Sequence, residues 1–253
     1  MTSGSSAASH VLAGCRIIVS VDTRAAGGRF PTSRAAGTDV LERALTGDGA
    51  QVMRVLASRA DTPAPALLRR AVHRAGFGGA DAVLFTESSA SWIEAASSTG
   101  AIEANRRRAE AGQLLLIATD EQEARRLQDA RLPARYVEQP TPAGLAGCVV
   151  AYYAGGARSL LTEAGRLEVR SCGVVLDDRF VPLSRGAAGL MEALLLARGR
   201  VLSRTELGRR LPGGERSGRA VEVAVARLRE SLGSIDLVQT VVKRGYRLAV
   251  AER

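Results

Sequence analysis

The sequence predicts a two-domain chain of the α/β class, with a parallel-sheet domain over residues 15–155 and a small α+β domain over residues 166–253. Three observations predict it. Short, nearly continuous apolar runs alternate with helical stretches as far as about Gly155, the pattern of a parallel sheet covered on both faces. The last ninety residues change character to short alternating strands, three helical stretches and a Gly-bearing terminal hairpin. Between the two lies a turn-rich connection, residues 156–165. Residues 1–14 have the Ser-, Ala- and Gly-rich composition of a disordered terminus.

In the first domain the strands are read as Arg16–Val21, Gln51–Leu56, Asp81–Thr86 and Leu114–Thr119, with Arg135–Val137 as a fifth. Helical stretches fall near 34–47, 64–76, 89–111 and 120–130. Ligands of such sheets bind beyond the carboxyl ends of the strands. The candidate ligand residues are therefore Asp22 and Thr23 after the first strand, Thr86, Ser88 and Ser89 after the third, and Thr119 after the fourth. A small anionic ligand is the expected occupant. Gly76-Phe77-Gly78-Gly79 precedes a strand and reads as a turn, not as a dinucleotide loop. Arg106-Arg107-Arg108 reads as a solvated helix end.

In the second domain Leu167–Arg170, Gly173–Leu176 and Phe180–Leu183 alternate as strands, with a turn at Asp177-Asp178. Leu183–Arg198 reads as a helix capped by Ser184 and stopped by Gly199. Ser203 and Glu206 form a capping box for a second helix through Leu211, ended by Pro212-Gly213-Gly214. In the third helix, Gly218–Leu232, an apolar stripe of Val221, Ala224, Val225, Leu228 and Leu232 faces a core. The opposite face carries Arg219, Glu222, Val223, Ala226, Arg227 and Glu230, with Arg229 on its flank. The terminal hairpin, Leu237–Val250, bears Lys243 and Arg244.

A basic helix suits the major groove of a duplex, and a positively charged ribbon beside it reaches phosphates or the minor groove. Residues 166–253 hold 17 Lys+Arg and 10 Asp+Glu, a net of +7, against +2 for the remainder, so the excess charge lies where phosphates need neutralising. Double-stranded DNA is the expected partner. The candidate groove and backbone contacts are Arg219, Val223, Arg227, Arg229, Lys243 and Arg244, with Arg204 and Thr240 as phosphate contacts. Leu228 and Tyr246 are assigned to the core.

These segments resemble the winged-helix effector domain of the OmpR/PhoB response-regulator family over about 85 residues. The likeness rests on Val201-Leu202-Ser203-Arg204-Thr205-Glu206-Leu207 at the second helix. It rests also on Arg219, Val221, Glu222, Val223, Val225, Arg227, Leu228 and Arg229 in the third, and on Gly245-Tyr246-Arg247-Leu248 in the wing. The resemblance implies a winged helix-turn-helix fold, sequence-specific DNA binding and a tandem-bound homodimer. Two departures, Ala224 and Ala226 at reader positions and VVKRGY in the wing, imply modest base discrimination.

The usual partner of this effector is a phospho-receiver. That domain needs an acidic pair after its first strand, an acceptor Asp after the third, Ser or Thr after the fourth and Lys after the fifth. Here the positions hold Asp22, Thr86, Thr119 and Gln139, so aspartyl phosphorylation is not expected. The first strand also stands too far along the chain from the third for a compact receiver. Ala80–Ala90, ADAVLFTESSA, instead resembles a segment of uroporphyrinogen-III synthase, with LLLIATDEQEARRLQDA and PARYVEQPTPAGL continuing the likeness. The resemblance covers about 130 residues, roughly one of that enzyme's two domains. It implies a fusion of a synthase-like sensory or dimerisation domain to a DNA-binding domain.

The expected function is thus a transcriptional regulator that works without aspartyl phosphorylation, and not an enzyme. The alternative is a tetrapyrrole enzyme with an accessory winged helix. No cofactor or metal is expected, because Cys15, Cys148 and Cys172 stand at unrelated spacings and the two histidines lack partners. Leu12-Ala13-Gly14-Cys15 resembles a lipidation box, but residues 1–11 have neither a basic nor an apolar region to precede it. No apolar run approaches membrane-spanning length, so the expected location is cytoplasmic, away from membranes.

Overall fold

The computed structural model describes residues 10–22, 31–57, 65–156, 159–211 and 216–251. The first domain contains β1 (Arg16–Asp22), α1 (Pro31–Gly47), β2 (Gln51–Ala57), α2 (Ala66–Gly76), β3 (Ala82–Phe85), α3 (Ala90–Ser98), α4 (Ile102–Glu110), β4 (Leu115–Ala118), α5 (Glu121–Asp129), β5 (Arg135–Tyr136) and α6 (Pro142–Ala154). The strands form one parallel sheet in the order β2-β1-β3-β4-β5. This is the flavodoxin-like order, with its switch point between β1 and β3. β1 shows why the strands read as unbroken apolar runs. Ile18 packs under α2 and α3 with Leu68, Val72 and Trp92, while Ile17 and Val19 pack against α1 and α6 with Leu41, Leu45 and Val149.

Several expectations are corrected. β1 is not too distant from β3 for a compact domain. The two strands are direct neighbours, and the residues between them are spent on α1, β2 and α2. The helical stretch 89–111 is two helices, broken at Thr99-Gly100-Ala101, where Gly100 adopts φ +67°. Of the terminus read as disordered, residues 1–9 lie outside the described residues, but residues 10–14 form a turn whose Leu12 is fully buried. The Leu12 N–H donates to the Asp48 carbonyl at 2.9 Å, and the turn delivers Cys15, also buried, to the start of β1. Arg108 is not solvated. It is buried and its guanidinium donates to three backbone carbonyls, of Ala75, Ala80 and Gln113.

The second domain begins earlier than the sequence indicates. Within the expected linker 156–165, residues 157–158 lie outside the described residues, but β6 (Ser159–Thr162) already pairs with β7 (Gly165–Arg170). β8 (Gly173–Leu176) and β9 (Arg179–Pro182) complete an antiparallel sheet in chain order. Then follow α7 (Arg185–Ala197), α8 (Arg204–Gly208), α9 (Gly218–Leu232) and the wing strands β10 (Val238–Val241) and β11 (Gly245–Leu248). The expected break at Pro212-Gly213-Gly214 lies outside the described residues. One core joins the sheet, the three helices and the wing through Leu167, Leu190, Met191, Leu194, Leu207, Val225, Leu228 and Tyr246. No helix among the described residues is long and apolar enough to cross a membrane.

Two local devices hold α8 and the wing. At α8 the Ser203 N–H and hydroxyl donate to Glu206 at 2.8 and 2.9 Å, and the Ser203 hydroxyl accepts the Glu206 N–H at 3.2 Å. This capping box matches the sequence pattern. At the wing, Leu202 and Tyr246 exchange backbone hydrogen bonds of 2.8 and 2.9 Å. Gly245 allows that approach, because it sits at φ +138° and a Cβ there would collide with the Leu202 carbonyl.

Two predictions follow from these devices. Gly245→Ala is expected to cost about 1–3 kcal/mol of stability through backbone strain and displaced neighbours, and an unchanged urea midpoint would refute the need for glycine. The Ser203 backbone bond, then the Ser203 hydroxyl and Arg200, lower the Glu206 carboxyl from 4.5 to about 2. A depressed carboxyl stabilises the fold fully above its unfolded value and loses that contribution as pH falls. The cap is therefore expected to persist through pH 4 and fail only towards pH 2. A carboxyl 13C titration giving an ordinary midpoint would overturn it.

Candidate nucleic-acid interface

The interface is set by the way α9 is buried. Ser217 caps its first turn by accepting the Ala220 N–H at 3.3 Å. Val221, Val225, Leu228 and Leu232 are buried, as the sequence stripe predicts, and Ala224 is partly buried against the same core. The other side of the helix is exposed, with Arg219, Glu222, Val223, Ala226, Arg227 and Glu230 in solvent. Of the two reader positions occupied by alanine, only Ala226 therefore lies on the outer face. Arg219 and Arg227 are eight residues apart, roughly 12 Å along a helix axis. Val223 stands midway between them and is 46% exposed.

The wing closes tightly. Val241 faces Gly245 across the ladder, and Val242-Lys243-Arg244 form the tip. Lys243 adopts φ +61°, and Val242 is 78% exposed. The Arg244 N–H donates to the Val241 carbonyl at 2.9 Å, so the tip is a hydrogen-bonded turn.

The structure divides the sequence-predicted contacts into two sets. Arg229 is committed to the wing. Its Nε and Nη2 donate to the Val238 carbonyl at 3.2 and 2.6 Å, and Nη2 also donates to Thr240 Oγ1 at 2.9 Å. Arg204 donates to Glu222 at 2.8 Å. The guanidinium carbons of Arg204 and Arg229 lie 5.8 and 6.0 Å from the centroid of the buried Tyr246 ring. These two arginines and Thr240 thus brace α8, α9 and the wing against one another. Among the described residues, Arg219, Arg227, Lys243 and Arg244 carry no ion pair and no side-chain hydrogen bond, and all four are exposed.

The candidate ligand residues gather at the carboxyl ends of the strands. Asp22 ends β1, and Thr23 lies outside the described residues. Thr86 donates its N–H and its hydroxyl to the Ser20 carbonyl, each at 3.1 Å. Thr119 bonds to Asp120 at 3.2 Å, and Asp120 caps α5 by accepting the Glu123 N–H. The buried Ser89 donates both its N–H and its hydroxyl to Glu123 Oε2 at 2.8 Å. Ser88 accepts from Arg126 at 3.1 Å, and Arg126 also pairs with Glu123 at 2.5 Å.

Sequence reasoning missed Glu123 and Arg126, which lie on α5, more than thirty positions from the serines they bond. Their presence changes the chemistry of the edge. The amino end of α3, where helix dipole and free N–H groups favour an anion, already holds the Glu123 carboxylate. A small anion would have to displace it. Among the described residues no group of three or more His, Cys, Asp or Glu could hold a metal ion.

Residues 178–248 match the family model described as Transcriptional regulatory protein, C terminal. No curated protein sequence matches the chain. Solved structures similar to it include the DNA-binding domain of Klebsiella pneumoniae RstA in complex with the RstA box. That domain is 26% identical, with 36% of this chain and 97% of that one covered and a TM-score of 0.31. The DNA-binding domain of CpxR from E. coli is 22% identical, covering 37% and 98% with a TM-score of 0.33. The response regulator DrrB, a Thermotoga maritima OmpR/PhoB homolog, is 16% identical, covering 93% and 99% with a TM-score of 0.32. The matched family segment runs from the β8–β9 turn through α7, α8 and α9 to the end of β11. Residues 178–248 are an OmpR/PhoB-type winged-helix DNA-binding domain.

Proposed function

We propose that this chain is a cytoplasmic, sequence-reading transcriptional regulator that works without aspartyl phosphorylation, its α/β domain serving as a sensing or dimerising unit. One observation carries the reading of the DNA face. Arg219 and Arg227 on α9, with Lys243 and Arg244 on the adjoining wing, are exposed cations with no intramolecular partner among the described residues. Committed arginines serve the fold, whereas uncommitted ones on a matched DNA-binding domain are available to phosphates and guanine edges. Val223 between them offers a methyl-bearing surface suited to apolar contact with thymine.

Independence from phosphorylation is supported by chemistry at the strand ends. β3 ends at Phe85 and continues into Thr86-Glu87, with no aspartate to accept a phosphoryl group. Beyond β5 stand Glu138-Gln139, and the chain's single lysine, Lys243, is in the wing. The synthase-like reading of the α/β domain is supported by the ADAVLFTESSA segment, which spans β3 and the entry to α3. Glu87 within that segment and Glu123, which bonds its Ser89, oppose a polycarboxylate substrate, so incubation with hydroxymethylbilane is expected to give no cyclised type-III product. Appearance of that product would establish the enzyme instead.

The central test is selection from random duplex DNA at near-physiological salt. Enrichment of a motif is expected, as paired direct half-sites if the chain binds as a tandem dimer. Salt-insensitive binding without enrichment would overturn the reading. Arg227→Ala is expected to cost about 1–3 kcal/mol of affinity for the selected site if it reads guanine, with the urea midpoint unchanged. Arg229→Ala is expected to do the reverse first, lowering the midpoint because the Val238 carbonyl and Thr240 lose their donor. Lys243→Ala should reduce the slope of log affinity against log salt by about 1, uniformly across sequences.

A further inference from the structure

The winged-helix domain is bonded to the amino-terminal edge of the parallel sheet, the end opposite the candidate ligand residues. The hairpin between β7 and β8 carries the main junction. The Ser171 N–H donates to both oxygens of the buried Asp81 carboxylate, at 2.9 and 3.1 Å. The same carboxylate accepts the Arg16 N–H at the head of β1, at 2.8 Å. The next residue, Cys172, donates its N–H to the Gly14 carbonyl at 3.2 Å.

Charged side chains extend the junction on both sides. The buried Arg170 donates to Cys15 Sγ at 2.6 Å and to Glu168 at 2.5 Å, and its guanidinium lies 4.3 Å from the centre of the Tyr153 ring of α6. The buried Arg108 reaches Glu192 of α7 at 3.5 Å. Arg185, at the start of α7, donates to the Phe77 carbonyl at 3.4 Å. The Phe180 ring of β9 lies over Gly14, which sits at φ +75°, and a Cβ there would strike that ring.

Two properties of this junction decide what it does. Most of its bonds are charge-assisted, and several are anchored on backbone atoms of strand ends and a tight hairpin, so rotation of one domain breaks several at once. It also leaves the DNA face uncovered. Among the described residues, no hydrogen bond or ion pair joins α9, β10 or β11 to residues 10–156, and Arg219, Arg227, Lys243 and Arg244 remain exposed.

We propose that this docked arrangement is itself the DNA-binding state: the winged helix works while fixed to the back edge of the sheet and is not released from it. The proposal rests on the DNA-binding reading of α9 and the wing. Control then comes from what the α/β domain does to the spacing of two bound chains, not from unmasking a hidden recognition helix.

The Ser171 and Cys172 amides report docking directly, because their acceptors, Asp81 and Gly14, belong to the other domain. Hydrogen exchange of both is measured in the full chain, alone and saturated with a random-sequence duplex at low salt. Protection comparable to amides of the β7–β8 ladder is expected, changing by less than about threefold when DNA binds. Exchange near the unprotected rate in the free chain, or loss of more than about tenfold in protection on adding DNA, would overturn the proposal.

Asp81→Asn and, separately, the milder Glu192→Gln give a second readout. Either is expected to lower Ser171 protection while leaving duplex affinity within about twofold, whereas binding about tenfold tighter would reveal a masked surface and refute the proposal. Failure of the full chain to bind duplex would overturn the DNA reading and the state assigned to the docked form with it. The exchange of the free chain would still score docking separately.

Discussion

Burial of Val221, Val225, Leu228 and Leu232 fixes the rotation of α9 about its axis, and that rotation gives every charge on the helix its address. Each such side chain, moved from water to the core, contributes about 1.5–3 kcal/mol. An exposed helical ion pair contributes only about 0.3–0.5 kcal/mol. No rearrangement of surface arginines can therefore turn the helix against its stripe. Arg227 and Arg229, two residues apart, point roughly 200° apart around the axis. One meets solvent and the other meets the wing.

The same separation explains why the second domain coheres. Arg229 reaches the Val238 carbonyl and Thr240, Arg204 reaches Glu222, and both flank Tyr246, whose backbone is bonded to Leu202. The wing is thus tied to α9, to α8 and to the segment entering α8. A guanidinium suits such work because its planar fork offers five donors and stays charged when partly buried. Arg108 and Arg170 use it in the same way beneath the domain junction. Lys243, a hydrated point charge at the wing tip, is used differently.

Much of this could be read from the sequence wherever the determining signal is local. The stripe of α9, the Ser203–Glu206 cap, the Ser184 cap and the Gly245-Tyr246-Arg247-Leu248 strand are all patterns within a few residues of one another. What could not be read depends on distant partners. β6 is a four-residue strand between glycine-bearing turns, and it exists because β7 lies alongside and Ala251 donates to the Leu161 carbonyl. Leu12 is buried because it joins the core with Leu41 and Leu45 of α1, and the Asp48 carbonyl fixes its backbone there. Arg108 looks like one member of a solvated run, yet successive residues on a helix turn by about 100°, and it points inward to three carbonyls. The closure of Ser89 by Glu123 joins α3 to α5, and no spacing rule links them.

The two ends of the parallel sheet consequently have separate duties. At the amino ends of β1 and β3, Asp81, itself tied to the Arg16 N–H, and the Gly14 carbonyl hold the hairpin of the winged helix. At the carboxyl ends, Thr86 donates to the Ser20 carbonyl, and Ser89 is closed by Glu123. Both strands are buried on both faces and paired in continuous register, so each acts as a strut and not as a hinge. In the docked state proposed above, an event at the carboxyl end does not swing the winged helix, because rotation would break the Ser171–Asp81 and Cys172–Gly14 bonds. It can alter only what the carboxyl edge presents to a ligand or to a second chain. Cooperation between two winged helices on DNA would then be set by the fit of two rigid bodies, each carrying its recognition helix already exposed.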